Sequence, residues 1–519
     1  MELKKANLHM DQIKCRANVQ ITLEEDKNIS DRNPDATSIL MEKGRIVMEE
    51  VRAGKDSVSV KGKMIYEVIY GSEEEEGRIY RIAGEIPWEE NVRCEGMDSL
   101  DNPLVKVTIE DIKSGLINSR KINIRALLNI CVEAKEIRDE EILLEIMGKE
   151  NMEVKKEPYS QTVMVMDQKD IFRIKEELEL PSTMPPIQEV LWKSLDLEKW
   201  EVRTLEDKIG LQGELNLFLL YVAEGEEGYI KAYETKIPFS GNLECAGCNR
   251  SMLEDIIPSV TGWNINVKRD YDGEERVLEA EMVLEVPIQL YEDREMEIIT
   301  DIYSTAGNVS MDYVTGNGKK FREKCQAKVK VAEMIKLSPS AGKIIQICHM
   351  EAHPLIEGTR VVEEGLEING IVSIGILYMT EKESKPYEML KKDIPFSYHL
   401  EKVSLNDESQ WKISVMVEQC NAVIPEEDKI DVKITLGMDI LLIDVWKNTW
   451  IKNIRLEPYT KEQMEETIGI MVYIPGEKES LWEIGKKYGI SLESIKNLNA
   501  LTRQEVEKGQ KILLVKDFS

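Results

Sequence analysis

Histidine and aromatic side chains are scarce in this chain, and positive charge is in deficit. Aromatics make up 6 % of 519 residues, there are four histidines, and 68 Lys and Arg face 97 Asp and Glu, for a net charge of −29. A nucleic-acid binder needs a basic face to displace counterions from phosphates, so that class is excluded, as is an anchor on an anionic membrane. No apolar run approaches the roughly 18–20 residues that cross a bilayer, so membrane insertion is not expected. The first residues, MELKKANLHMDQIKCR, put no apolar core behind their charges, unlike a secretory signal. The expectation is a protein that stays in the cytoplasm of the cell that makes it, with its eight cysteines as thiols.

Catalytic constellations are equally thin. There is no G-x-S-x-G, P-loop or G-x-G-x-x-G. Cys348-His349-x-Glu351-x-His353 is the densest group of potential metal ligands; on a strand, 349, 351 and 353 share a face. Its spacing is not that of the H-E-x-x-H helix, and a structural strand edge is the reading adopted. Cys245-Ala-Gly-Cys248 is a lone C-x-x-C with no second pair for a zinc ribbon and no βαβ context for redox chemistry, so it reads as a loop with two ordinary thiols. With 97 acidic residues, carboxylate pairs carry no information about a glycosidase. No enzyme, cofactor or metal is expected.

What is present is repetition. Gly62, Tyr70 and Ile86-Pro87-Trp88 recur as Gly213, Tyr221 and Ile237-Pro238-Phe239, and again as Gly370, Tyr378 and Ile394-Pro395-Phe396. Gly and Tyr are eight residues apart each time, Tyr and Pro seventeen, and the copies are offset by 151 and 157 residues. Stepping back from each Tyr by twos meets Met64, Tyr66 and Val68, then Leu215, Leu217 and Leu219, then Val372, Ile374 and Ile376: one buried strand face. Acidic stretches at 71–77, 223–228 and 380–386 read as solvated hairpin turns. The Ile-Pro-aromatic triplets read as packed corners. Further alternating pairs follow, such as 105–109 with 122–128, and each copy opens on one, at 17–23, 171–180 and 325–337. The fold expected is mainly β: three tandem antiparallel sandwich- or barrel-like repeats, at 1–155, 156–310 and 311–465.

The segment 468–519 differs. A short strand, a helix capped by Ser480 and stopped by Gly489, a second helix capped by Ser491 and a closing strand at Ile512–Val515 make a βααβ module. Over 472–519 its net charge is +1, leaving −30 on the body, which suggests a separate task.

This module resembles LysM, on Tyr473, Ser480-Leu481-Trp482, Ile484, Lys487-Tyr488-Gly489, Leu498-Asn499 and Gly509-Gln510-Lys511-Ile512. It departs from the family pattern at Lys478, where a Gly is usual, and at Ala500, where a Pro is usual. In LysM modules both positions line the groove for N-acetylglucosamine chains. Carried over, the partner or glycan groove is Lys478, Glu479, Ser480, Leu481, Trp482, Asn499, Ala500 and Leu501. The two departures favour a protein-docking head, with Trp482 as an anchor, over a strong glycan binder. The stretch 28–44, the Gly…Tyr…Ile-Pro-aromatic spacing and Ile345-Gln346-Ile347-Cys348-His349 resemble SPOCS (spore coat assembly) repeats. Three such repeats before LysM resemble the SipL family of spore morphogenesis proteins. The resemblance implies a non-catalytic scaffold at the forespore surface in the mother cell, partnering the coat-basement ATPase SpoIVA. The alternative is a peptidoglycan-binding protein.

Overall fold

The computed structural model describes residues 2–72, 78–148, 151–225, 230–338, 342–363, 365–382, 386–406, 408–460, 462–463, 469–476, 479–501 and 509–516. The first repeat contains β1 (Glu2–Asn28), β2 (Ser38–Gly54), β3 (Ser57–Gly71), β4 (Ile79–Arg93), β5 (Leu104–Asn118) and β6 (Lys121–Met147). They form two antiparallel three-stranded sheets, ordered β1-β6-β5 and β2-β3-β4. The second repeat has β7 (Met152–Glu179), β8 (Ile187–Leu205), β9 (Lys208–Ala223), β10 (Ile230–Glu244), β11 (Leu253–Asp255), β12 (Ser259–Arg269) and β13 (Glu275–Ser304). The third has β14 (Gly307–Lys336), β15 (Ile344–Val362), β16 (Gly365–Thr380), β17 (Tyr387–Glu401), β18 (Gln410–Glu426) and β19 (Lys429–Pro458). Strand pairing is the same in all three, apart from the short extra β11 on β13. Each repeat is a sandwich whose core joins both sheets.

The recurring triplet is explained by pairing register. Gly62 lies opposite Trp88, Gly213 opposite Phe239, and Gly370 opposite Phe396. Each aromatic ring lies over its glycine: a Cβ there would come within 2.8, 2.6 and 2.7 Å of the ring. The prolines are not at corners. They lie inside β4, β10 and β17, which are edge strands, where a missing N–H leaves no ladder bond unmade. Two of the tyrosines tie the strand to the preceding loop: Tyr70 donates to the Pro34 carbonyl (3.2 Å) and Tyr221 to that of Pro185 (3.0 Å). Tyr378 donates instead to Glu388 (2.8 Å). The acidic turn centres, 73–77, 226–229 and 383–385, lie outside the described residues.

The strands that open and close each repeat are far longer than the alternating stretches indicate. β1 with β6, β7 with β13, and β14 with β19 run on beyond the sandwiches as antiparallel ribbons. An extra residue bulges out at equivalent places in each: Lys14, Val165 and Arg322 on one strand, Leu144, Thr300 and Lys452 on the other. Bulges bend a ribbon and increase its twist. The bent ribbons meet in a shared core of Leu143, Ile146, Met152, Ile299, Ile302, Ile451 and Ile454.

The three sandwiches also close on one another. β4 packs on β8, β10 on β15, and β17 back on β2, so repeat one meets two, two meets three, and three meets one. Equivalent residues converge at the centre: Ile69, Leu220 and Leu377, with Ile79, Ile230 and Tyr387. The body is a pseudo-threefold ring made by one chain, held by the head-to-tail contact that closes a cyclic oligomer.

The C-terminal module comprises β20 (Gly469–Tyr473), α1 (Leu481–Tyr488), α2 (Leu492–Asn499) and β21 (Ile512–Lys516), with β20 antiparallel to β21. Ser480 caps α1 in a reciprocal capping box with Glu483, and Gly489 ends it in the left-handed region at φ 61°. Leu481, Ile484, Ile490, Ile495, Ile512 and Leu514 form its own core.

Candidate functional site

Most of the residues proposed as the module's groove have work inside the protein. Lys478 lies outside the described residues. Glu479 accepts hydrogen bonds from the Tyr473 hydroxyl (2.8 Å) and the Gly476 amide (3.0 Å), which close the loop before α1. Ser480 is the cap. Leu481 is fully buried in the module core and cannot offer apolar contact to a partner. Asn499 clamps α2 to β21, donating to the carbonyls of Ile495 and Leu513 (2.8 Å each) and accepting from the Leu513 amide (2.7 Å). Ala500 takes the left-handed helix stop at φ 51°, a value no proline ring allows, so this chain closes α2 with a turn that the usual proline could not make. Leu501 packs against the core.

Trp482 is not a free anchor. Its indole N–H donates to Asp301 Oδ2 (2.8 Å) at the end of β13, and its ring meets Tyr303 edge to face, centroids 5.0 Å apart. Lys486 Nζ donates to the other oxygen of Asp301 (2.6 Å). Tyr303 donates to the Ile490 carbonyl (2.9 Å), and Glu153 of β7 accepts from the Leu492 amide (3.3 Å). The partner of Trp482 is thus the second repeat of its own chain. Burial alone would raise the Asp301 pKa, but the hydrogen bonds from Lys486 and Trp482 outweigh it and hold the carboxyl below its usual value.

The outer face of the module is left open. Tyr473, half-buried, pairs with Ile512, and Met471, 44 % exposed, with Leu514; the side chains of Ile512 and Leu514 are buried in the module core. Side chains alternate along a strand, so Ile470 and Val472 point the other way. They are 75 % and 61 % exposed, and Ile474 beyond them 58 %.

A second site was missed at the level of sequence. A cavity of about 740 Å³ opens at the junction of the three repeats, lined by Lys43, Arg45, Lys193, Asp196, Glu351 and His353 among others. Offsets of 151 and 157 make Arg45, Asp196 and His353 equivalent positions, and likewise Lys43, Ser194 and Glu351. The repeats therefore share backbone here while differing in charge. The one signal of a junction was the loss of alternation at Leu217–Tyr221 and Val68–Tyr70, where both strand faces are apolar.

The cavity holds the histidine cluster, on edge strand β15. His353 Nε2 is 3.8 Å from Glu351 Oε2. Burial would raise the Glu351 pKa, but the close pairing with His353 and the charges of Lys43 and His349 bring it down to about 2. The same pairing, against burial, raises His353 above 6.5. His349 is buried and stacks on Phe218 with ring centroids 3.9 Å apart. Its Nδ1 lies 3.5 Å from Glu234, and neither ring nitrogen makes a hydrogen bond among the described residues. No group of three or more His, Cys, Asp and Glu among the described residues is placed to hold a metal. No helix among them is long and apolar enough to cross a membrane.

The C-x-x-C is a turn shared with the first repeat. Cys248 N–H donates to the Cys245 carbonyl (3.0 Å), as Met97 does to Cys94 (3.1 Å), and Asp207 and Asp56 brace the two turns through the amides of Gly247 and Gly96. Both thiols are buried in the core of the second repeat, and burial raises their pKa values, that of Cys245 to about 11. A reactive cysteine is instead a stabilised thiolate.

Comparison with protein families matches the description "SipL, SPOCS domain" three times, at residues 35–117, 186–268 and 343–425, and "LysM domain" at 476–515. The SPOCS matches span β2 to β5, β8 to β12 and β15 to β18, and are spaced by the same 151 and 157 residues. Comparison with curated proteins and with solved structures returns no match. SPOCS and LysM are non-catalytic domain families, and the combination describes a sporulation-related scaffold. Three SPOCS domains in tandem, followed by a C-terminal LysM domain, give this chain the architecture of the SipL proteins.

Proposed function

We propose that the chain is a non-catalytic scaffold of spore-envelope assembly, working at the forespore surface in the mother-cell cytoplasm, and that its LysM domain docks a protein. The partner proposed is the coat-basement ATPase SpoIVA. The observation that carries this reading is the open apolar face of Ile470, Val472 and Ile474, beside a groove whose described polar residues are largely satisfied within the module. A sugar is gripped by hydrogen-bonding groups, whereas a flat aliphatic face suits the dry centre of a protein interface. Peptidoglycan binding is the second reading, and the LysM match favours it.

Both readings meet in one experiment. Full-length chain, wild type and Ile470→Glu/Val472→Glu, is tested for capture of purified SpoIVA and for retention on peptidoglycan. Burying each aliphatic side chain contributes about 1.5–3 kcal/mol, so the double variant should weaken ATPase capture more than about tenfold. Retention on peptidoglycan without ATPase capture establishes the second reading instead.

A further inference from the structure

The cavity between the repeats carries an inference independent of the LysM domain. In a chain with a net charge of −29, Arg45 and Arg81 of the first repeat and Lys193 of the second all line it. Arg81 is paired with Glu67. Arg45 and Lys193 make no ion pair among the described residues; the Lys193 ammonium lies 5.5 Å over the Trp263 ring and 3.4 Å from the Ile265 carbonyl. Most of the cavity's acids already have a partner: Glu198 has Lys236 at 2.8 Å, outside the lining, while Glu351 has His353 and Glu67 has Arg81 within it. The remaining acid, Asp196, raises the pKa of His353, so its charge is felt on the third-repeat side. Burial lowers the Lys193 pKa, and the charges of Arg81 and Arg45 add to that against the opposing pull of Glu67. The three cations thus share one cavity lining, and of them only Arg81 has an ion-pair partner among the described residues.

The pseudo-threefold ring supplies its own control. Arg81 and Lys193 stand on β4 and β8, at the seam between repeats one and two. At the next seam the equivalent residues are Ala232 and Met350, and at the third Met389 and Glu42. The ring closes at those seams without a pair of cations, so closure does not require one here.

We propose that this cavity binds a small, multiply charged oxyanion, gripped by Arg45 and Lys193, with the Glu67-paired Arg81 in the same lining. Guanidinium forks match phosphate and carboxylate oxygens two at a time, and a lysine adds a point charge. The volume is in the range of a small-molecule site. Phosphate esters and polycarboxylates share this chemistry, and the test separates them. Full-length protein is titrated calorimetrically with inorganic phosphate and with citrate, at an ionic strength held constant with sodium chloride. Saturable binding of at least one is expected, weakened about tenfold or more in Arg45→Gln and in Lys193→Met, and unchanged in Lys113→Gln on the surface. Circular dichroism checks that each variant is folded; Arg45 is exposed, so its variant keeps the test sound if Lys193→Met is not. Binding of phosphate alone assigns a phosphorylated ligand, and of citrate alone a polycarboxylate. No saturable heat with either, or binding that survives both substitutions, overturns the proposal.

Discussion

Gly62, Gly213 and Gly370 each occupy a position where one methyl group has nowhere to go. A Cβ at Gly370 would sit 2.3 Å from the Leu355 carbonyl oxygen, and at Gly213 2.4 Å from that of Lys199, besides striking the aromatic ring across the strand. Backbone cannot swing aside as a side-chain end can, so Gly213→Ala and Gly370→Ala should each cost about 1–3 kcal/mol in urea unfolding. Gly358→Ala, with nothing within 4 Å, should stay within about 0.5 kcal/mol. The second test at this scale is pH. The Glu351 pKa falls from 4.5 to about 2 on folding, so its contribution is complete above 4.5 and is lost as pH falls toward 2. His353 is raised, so its contribution is complete below 6.5 and fades as pH rises through the raised value. The melting temperature of Glu351→Gln should lie below wild type at pH 5–6, where both contributions are full, and the gap should close toward pH 2.

At the scale of elements, the informative contact is α1 on the end of β13. The LysM resemblance makes Trp482 a binding residue, and on α1 it lies out of phase with the buried Leu481 and Ile484. It does face a partner surface, but that surface belongs to the same chain, about 180 residues earlier. Asp301→Ala should remove the acceptor of both Trp482 and Lys486 and release the module without unfolding it, since the module core is separate from this contact. Faster hydrogen exchange at the β13 end and around Ile490, with α1 and α2 still protected from complete exchange, is the expected result. Release follows the Asp301 pKa too. That pKa is depressed on folding, so the dock is strongest above 3.8 and weakens as pH falls below it.

At the scale of the whole molecule, shape shows in the surface: 28600 Å² is accessible, against about 19000 Å² for a compact monomer of this mass. The ribbons and the ring spend chain length on outline rather than on a single globular interior, which is an arrangement suited to holding partners. Ring closure also sets a stability expectation. A fragment ending at residue 304 loses Leu377 and Tyr387 from the central cluster and uncovers Ile69, Ile79, Phe218 and Leu220. It should self-associate in light scattering at concentrations where the full chain does not, because a contiguous apolar patch of that kind seeks cover.

Strand phase and the helix caps were legible from residues alone. Met64, Tyr66 and Val68 alternate inward, and Ser480 and Gly489 bound α1, whereas the Gly62–Trp88 pairing emerged only with the register. Each of these depends on neighbours within about 30 positions, where side-chain period and turn geometry act directly. The ribbons were not legible, because their charge-rich ends, such as 133–147, alternate weakly until a neighbouring ribbon covers one face. Nor were the ring, the cavity and the place of Trp482. Those bring together Ile69 with Leu377, Arg45 with Lys193, and Trp482 with Asp301, pairs with no shared period and no turn between them. Sequence by itself determined three like domains and a small fourth; packing among domains decided which of their surfaces remain free, because burial at a distance is settled only when the faces meet.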